Sequence, residues 1–294
     1  NFCLAVLNSG DEVIIPAPYW VSYADIALVS DAKPIIVECG IEQKFKMTAS
    51  QLEKVITPKT KLVILNSPSN PTGAVYSKEE LTSLADVLIK HPNILIGTDD
   101  MYEHVKLKDM PFFNILNVNP ALKDRCVVMN GVSKAYSMTG WRIGYAAGPS
   151  YIIKAMEILQ SQSTSNPTSI SQVAAEAALS GDQACMDPMI KAFRERHAYV
   201  VKSFNEIPGL SCIEAEGAFY AFPDARKAIE HLFNQKVLKE KTDLALADYL
   251  LEKEGVAVVP GSAFGSDGYF RISFATSMEN LIEAMKRIKR ALSV

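Results

Sequence analysis

The sequence predicts an α/β fold built on a largely parallel sheet, and three observations carry that prediction. Short β-branched runs alternate with longer stretches of helical spacing through the first half of the chain. Several of the runs are apolar at successive positions, as in Lys61-Leu-Val-Ile-Leu65, which suits strands covered on both faces. The length of 294 residues allows one large α/β unit, or one such unit and a smaller one, each with its own core.

In chain order, strands are expected at residues 12–15, 34–38, 61–66, 94–99, 126–130 and 142–146. The stretches between them that read as helices are 19–29, 48–56, 78–90 and an apolar segment around 114–122. Ser77 followed by Glu80 is a capping-box pair, so a helix starts there. From 187 to 206 the pattern is one long helix, with Pro188 acceptable in its first turn. Short strands follow at 211–214 and 218–222, then a helix near 244–254, strands at 256–259 and 269–274, and a last helix over 278–291. This change of pattern predicts a large domain over residues 1–189 and a smaller α+β domain over 190–294 that includes the long linking helix. The chain opens on Asn1, and Phe2 to Leu7 reads like the middle of an apolar helix, so an N-terminal piece is expected to precede it.

Composition excludes several classes. A net charge of -3 supplies no basic face for nucleic acid. No apolar run approaches the roughly 20 residues that span a bilayer. Asp11 and Glu12 interrupt the first apolar stretch too early for a signal peptide. Five scattered cysteines with no C-x-x-C pair read as free thiols of a cytoplasmic protein. The four histidines lack metal-ligand spacing, so no metal is expected.

In open α/β sheets, ligands bind beyond the carboxyl ends of the strands. Strand 61–66 runs into Ser67-Pro-Ser-Asn-Pro-Thr-Gly73, the next ends at Thr98-Asp-Asp-Met-Tyr102, and the third at Gly131-Val-Ser-Lys134. These ends offer Asn70, an aspartate (Asp99 or Asp100), Tyr102 and Lys134, and Arg142 follows eight residues after the lysine. Singly, each has an ordinary reading as a loop carboxylate, a half-buried aromatic or a solvated cation. Together they are what a pyridoxal phosphate (PLP) site requires. A lysine amine forms an imine with the cofactor aldehyde. A carboxylate keeps the ring nitrogen protonated, so that the ring acts as an electron sink. An amide and a phenol tune the imine's basicity, and a guanidinium with neighbouring hydroxyls matches a phosphate.

The segment Gly131-Val-Ser-Lys-Ala-Tyr-Ser-Met-Thr-Gly-Trp-Arg-Ile-Gly144 resembles the PLP-attachment signature of class I aminotransferases. Pro18-Tyr-Trp20, Ser67-Pro-Ser-Asn-Pro-Thr-Gly73, Asp99-Asp-Met-Tyr102 and Tyr269-Phe-Arg-Ile-Ser273 occur in that family's order, so the resemblance spans essentially the whole chain. It implies PLP fold type I: a large domain with a mixed, mainly parallel seven-stranded sheet, a smaller α+β domain, and a homodimer. It also implies roles. Lys134 would carry the cofactor and shuttle the proton. Asp99, preferred over Asp100 because a tyrosine follows it by three residues, would pair with the ring nitrogen. Tyr102 and Asn70 would contact the 3-oxygen, and Trp20 would stack on the ring and border the substrate. Ser133 and Arg142 would bind the phosphate. Arg271, helped by Asn70, would grip the substrate α-carboxylate; the bond before Pro71 stands where that family tends to have a cis peptide, whereas a trans bond is the commoner state of such a turn.

Two departures accompany the resemblance. Gly131 stands where many members have a phosphate-binding serine. The family also has an N-terminal segment before the position of Asn1, with part of the phosphate cup and the group that reads the distal carboxylate. Gln160-Ser-Gln-Ser-Thr-Ser-Asn-Pro-Thr-Ser-Ile-Ser-Gln172 and Gly255-Val-Ala-Val-Val-Pro-Gly-Ser-Ala-Phe-Gly265 are similar to the bacterial and plastid aspartate/prephenate subgroup. The implied activity is reversible ping-pong transfer of an amino group between aspartate, or another dicarboxylic amino acid, and 2-oxoglutarate, with the cofactor alternating between pyridoxal and pyridoxamine phosphate. The alternatives are another fold type I enzyme (a prephenate or aromatic aminotransferase, or a β-lyase) and a non-catalytic PLP-binding regulatory module.

Overall fold

A computed structural model describes residues 1–293. Helix α1 (Phe2–Val6) leads into β1 (Glu12–Ala17), α2 (Ser22–Val29), β2 (Lys33–Glu38), α3 (Ala49–Val55), β3 (Thr60–Asn66), α4 (Lys78–Leu88) and β4 (Leu95–Asp99). Then come α5 (Ile115–Val118), β5 (Cys126–Gly131), β6 (Gly144–Ala147), α6 (Ser150–Ser163) and α7 (Ser169–Ser180). The remainder is α8 (Asp187–Asn205), β7 (Tyr220–Ala221), α9 (Arg226–Asn234), α10 (Asp243–Glu254), β8 (Val259–Pro260), β9 (Phe270–Ser273) and α11 (Met278–Leu292).

The first six strands form one sheet in the order β2-β1-β3-β4-β5-β6. All its pairings are parallel except β5 with β6. The fold is therefore α/β with a mixed, mostly parallel sheet. The described residues contribute six strands to this sheet, and β7, β8 and β9 form a separate, smaller antiparallel sheet.

Alternation along the central strands explains the continuous apolar runs. Val13, Ile15, Leu62 and Ile64 face a core with residues of α1, α2 and α6. Their neighbours Ile14, Val63 and Leu65 face the opposite core, under α3, α4 and α5. Successive side chains of a strand point to opposite faces, so a strand covered on both must be apolar throughout. Helix α4 starts where the capping box requires: Ser77 accepts from the Glu80 backbone N–H and the Glu80 carboxylate accepts from the Ser77 N–H.

The third core gathers α8, α9, α10 and α11 around Tyr220, Ala221, Phe270 and Ile272 of the antiparallel sheet. Here the expected strands shrink: 218–222 to Tyr220–Ala221, 256–259 to Val259–Pro260 and 269–274 to Phe270–Ser273. Residues 211–214 make only a bridge between Ser211 and Asp224. The Asn205 side chain instead bonds both the N–H and the carbonyl of Cys212, each at 2.9 Å, so that backbone is satisfied without a strand partner. Arg142 does not open β6, because it sits at φ 54°, a left-handed conformation at the end of the 3-10 turn Thr139–Trp141. Helices α6 and α9 have no counterpart in the sequence-based expectation. All five cysteines are free, four of them buried. No helix among the described residues is long and apolar enough to cross a membrane.

His197 of α8 is a buried member of this core. Its Nε2 accepts the Ala215 N–H at 3.0 Å, and its ring packs 5.6 Å from that of Phe274. Burial holds the imidazole down to about 4, against an ordinary value near 6.5. Between those values the unfolded chain binds a proton that the native state refuses. His197 therefore contributes stability that is full above about pH 6.5 and falls away as pH drops toward 4, by up to about 3 kcal/mol. Asp100 acts in the opposite sense, since burial raises its carboxyl to about 6. The test is thus the difference between two proteins: thermal midpoints of wild type and His197→Gln, measured from pH 7 to 4. The wild type is expected to lose more stability than the variant across that range, and parallel curves would refute the account.

Candidate active site

The register of the large sheet sets the site. Asn66 at the end of β3 pairs with Asp99 at the end of β4, and Asp99 pairs with Met129 of β5. The carboxyl ends of three neighbouring strands thus lie level, beside the point where the order turns from β1 outward in both directions. A cavity of about 370 Å³ opens there. That lies within the roughly 300–1,000 Å³ usual for small-molecule sites.

Every residue that the sequence singles out reaches its wall. Trp20 arrives on the turn after β1, Asn70 on the loop after β3, Asp99 and Tyr102 after β4. Ser133, Lys134 and Arg142 come from the turn between β5 and β6, and Arg271 comes from β9. Asp100 does not line the cavity. Being adjacent to Asp99, it faces the other way, where its carboxylate accepts from Thr98 Oγ1 at 2.6 Å and from Asn114 Nδ2 at 2.8 Å. The peptide between Asn70 and Pro71 is cis.

Lys134 is half-buried. Burial, with Arg271 and Arg142 nearby, pulls its ammonium below the usual lysine range, and Asp99 pulls weakly the other way. A larger share of neutral amine follows, which is the reactive form. Asp99 is pushed up by burial, opposed by hydrogen bonds from Tyr23 and the Met101 N–H and by the charge of Lys134. Arg271 is sandwiched between the rings of Tyr220 and Phe264, 4.5 and 5.0 Å from its guanidinium carbon. Its Nη1 donates to Asn70 Oδ1 at 2.8 Å, while its Nε is buried with no hydrogen-bond partner.

Five wall residues had no role in the sequence reading, Met101, Thr139 and three that organise the site: Tyr23, Asn66 and Tyr220. Tyr23 is buried and donates to Asp99 Oδ2 at 2.5 Å. It stands one helical turn after Trp20, a spacing that could have flagged it. Asn66 donates to the Asp99 carbonyl and accepts the Asn70 N–H, each at 2.9 Å, so it splices two of the strand ends together. Tyr220 meets Tyr102, hydroxyl to hydroxyl, at 2.7 Å. Gly131 departs from the commoner serine for a steric reason. A Cβ there would lie 2.9 Å from the Ile143 carbonyl oxygen and 3.0 Å from Met101 Cε.

This donor set fits PLP. The buried Asp99 carboxylate makes no ion pair among the described residues, and a protonated ring nitrogen would relieve its burial. The orphaned Arg271 Nε needs an acceptor such as a carboxylate. Lys134 is an amine of lowered basicity on the same cavity.

Comparison with known proteins agrees. Residues 1–288 match the family model "Aminotransferase class I and II". The chain is 61% identical over 293 residues to an aspartate/prephenate aminotransferase of Nitrosomonas europaea, covering 100% of this chain and 74% of that one. It is similar in structure to the aspartate aminotransferase of Rhizobium meliloti, with a TM-score of 0.93 and 47% identity over 99% of this chain and 73% of the other. An aromatic aminotransferase of Pyrococcus horikoshii superposes with a TM-score of 0.91 at 37% identity, over 99% and 76%. The chain therefore belongs to the class I and II aminotransferases, enzymes that use pyridoxal 5'-phosphate.

Proposed function

We propose that the protein transfers the amino group of aspartate to 2-oxoglutarate, and the reverse, by a ping-pong mechanism. The observation that carries this reading is the convergence of a low-basicity lysine, a buried carboxylate and an unsatisfied arginine on one cavity. The preference for aspartate is supported by relatives named for it at 49–61% identity. The names of several of these relatives favour prephenate as a second partner.

Lys134 is the residue that would anchor PLP, with Asp99 at its ring nitrogen, Tyr102 and Asn70 toward its 3-oxygen, Trp20 over its face, and Ser133 and Arg142 at its phosphate. When bound, PLP supplies an electron sink for negative charge on the substrate α-carbon. The protein does the rest. Arg271 takes the α-carboxylate in a bidentate grip, held level by Tyr220 and Phe264 and steered by Asn70. Lys134, made less basic by burial and two arginines, takes the proton from the α-carbon and returns it. Tyr23 donates to Asp99 Oδ2 and so fixes the carboxylate that would meet the ring nitrogen.

We further read a division near residue 190 into a large and a small domain, supported by the separate core around α8 and the antiparallel sheet. We also read a cytoplasmic homodimer. Tyr151, Ile158, Ile170 and Val173 of α6 and α7 are between 61% and 77% exposed, an apolar face that a second copy would cover.

The test is the visible spectrum of the purified protein with PLP, then borohydride reduction, peptide mapping and, on an unreduced sample, aspartate. The expected result is a visible band, trapped on Lys134, that aspartate bleaches faster than alanine or phenylalanine. Label on another lysine would overturn the site. Faster bleaching by phenylalanine would move the assignment to an aromatic aminotransferase. Sedimentation of the same sample is expected to give twice the 32.2 kDa chain mass, and a monomer mass would remove the dimer.

A further inference from the structure

Tyr220 joins two parts of the wall that arrive from different sheets. It lies on β7, paired antiparallel with β9 so that Tyr220 faces Ser273, two residues from Arg271. Its ring carries the Arg271 guanidinium at 4.5 Å, and its buried hydroxyl lies 2.7 Å from that of Tyr102, which belongs to the loop after β4. Only one proton can lie between the two oxygens, so one phenol donates and the other accepts.

The surrounding charges decide which. Asp99, Lys134 and Arg142 approach from the large sheet, and Arg271 from the small one. Burial raises both phenols; on top of it the cation against the Tyr220 ring favours loss of that proton, whereas at Tyr102 the carboxylate of Asp99 outweighs Arg271 and favours keeping it. Tyr220 is then the stronger acid of the pair. A phenol that accepts a hydrogen bond becomes a better donor through its own O–H.

We propose that Tyr220 is a positioning residue that donates its hydroxyl proton to Tyr102, leaving the Tyr102 proton to be donated into the cavity toward the 3-oxygen of the cofactor. The arrangement ties that donation to the occupancy of the carboxylate clamp, because Arg271 rests on the same ring. This rests on the PLP reading given above. A hydrogen bond to the 3-oxygen stabilises its anionic form, and so holds down the pH at which the visible chromophore takes up a proton.

The experiment is a pH titration of the visible absorption, without substrate, of PLP-loaded wild type, Tyr220→Phe, Tyr102→Phe and the double variant. Tyr220→Phe is expected to move the midpoint upward by about 0.3 unit, since loss of one hydrogen bond weakens the next by a fraction. Tyr102→Phe should move it in the same direction, and adding Tyr220→Phe to that background should change nothing more. Tyr220→3-fluorotyrosine, a stronger donor of nearly the same size, should move the midpoint downward. A downward shift for Tyr220→Phe would make Tyr102 the donor and overturn the proposal. So would no shift, or an equal shift in the Tyr102→Phe background. A wild type with no visible band would instead overturn the PLP reading itself.

Discussion

Lys134→Ala is expected to lower the rate of the aspartate half-reaction by at least about 10⁴-fold. Removal of a general base alone costs about 10²–10⁴, and this residue is also the proposed anchor of the cofactor. The variant is expected to fold, because Lys134 is half-buried and makes no ion pair among the described residues. Its distinguishing behaviour is a single-turnover reaction in which aspartate binds but the α-proton does not exchange with solvent deuterium. Exchange at the wild-type rate would transfer the proton to another group, and Tyr102 is a hydroxyl on the same wall.

The second large effect concerns Arg271. Arg271→Lys keeps the charge but loses the planar fork, and with it the contact to Asn70 and the stacking between Tyr220 and Phe264. Breaking one side of a desolvated, hydrogen-bonded charge pair costs about 2–5 kcal/mol, so kcat/KM for aspartate is expected to fall by roughly 30-fold to several thousand-fold. The loss should be similar for aspartate, alanine and phenylalanine, because the α-carboxylate is common to all three. A loss confined to aspartate would mean that Arg271 reads the distal carboxylate, and the orientation of substrate in the cavity would have to be reversed.

Much of this is legible in the sequence itself. The core strands were readable because a strand buried on both faces must be apolar at every position, as in Leu62, Val63, Ile64 and Leu65. The start of α4 was readable because its signal, Ser77 with Glu80, is complete within four residues. The wall residues Lys134, Asp99, Asn70 and Arg142 were readable because strand ends and a dense local motif announce them. Where the signal was not local, reading failed. Residues 211–214 look like a strand, yet the Asn205 side chain satisfies the Cys212 backbone first.

By itself, then, the sequence determined the α/β class, the order of the strands' polar ends and the residue types gathered for the chemistry, all of which are encoded within a few neighbours along the chain. Only the tertiary structure decided that Tyr23 holds Asp99 and that Tyr220 links Tyr102 to Arg271. These are contacts between residues 51 to 118 positions apart. Residue type and spacing carry no record of a hydroxyl's partner across that distance. The register of the sheet and the packing of its two faces supply it.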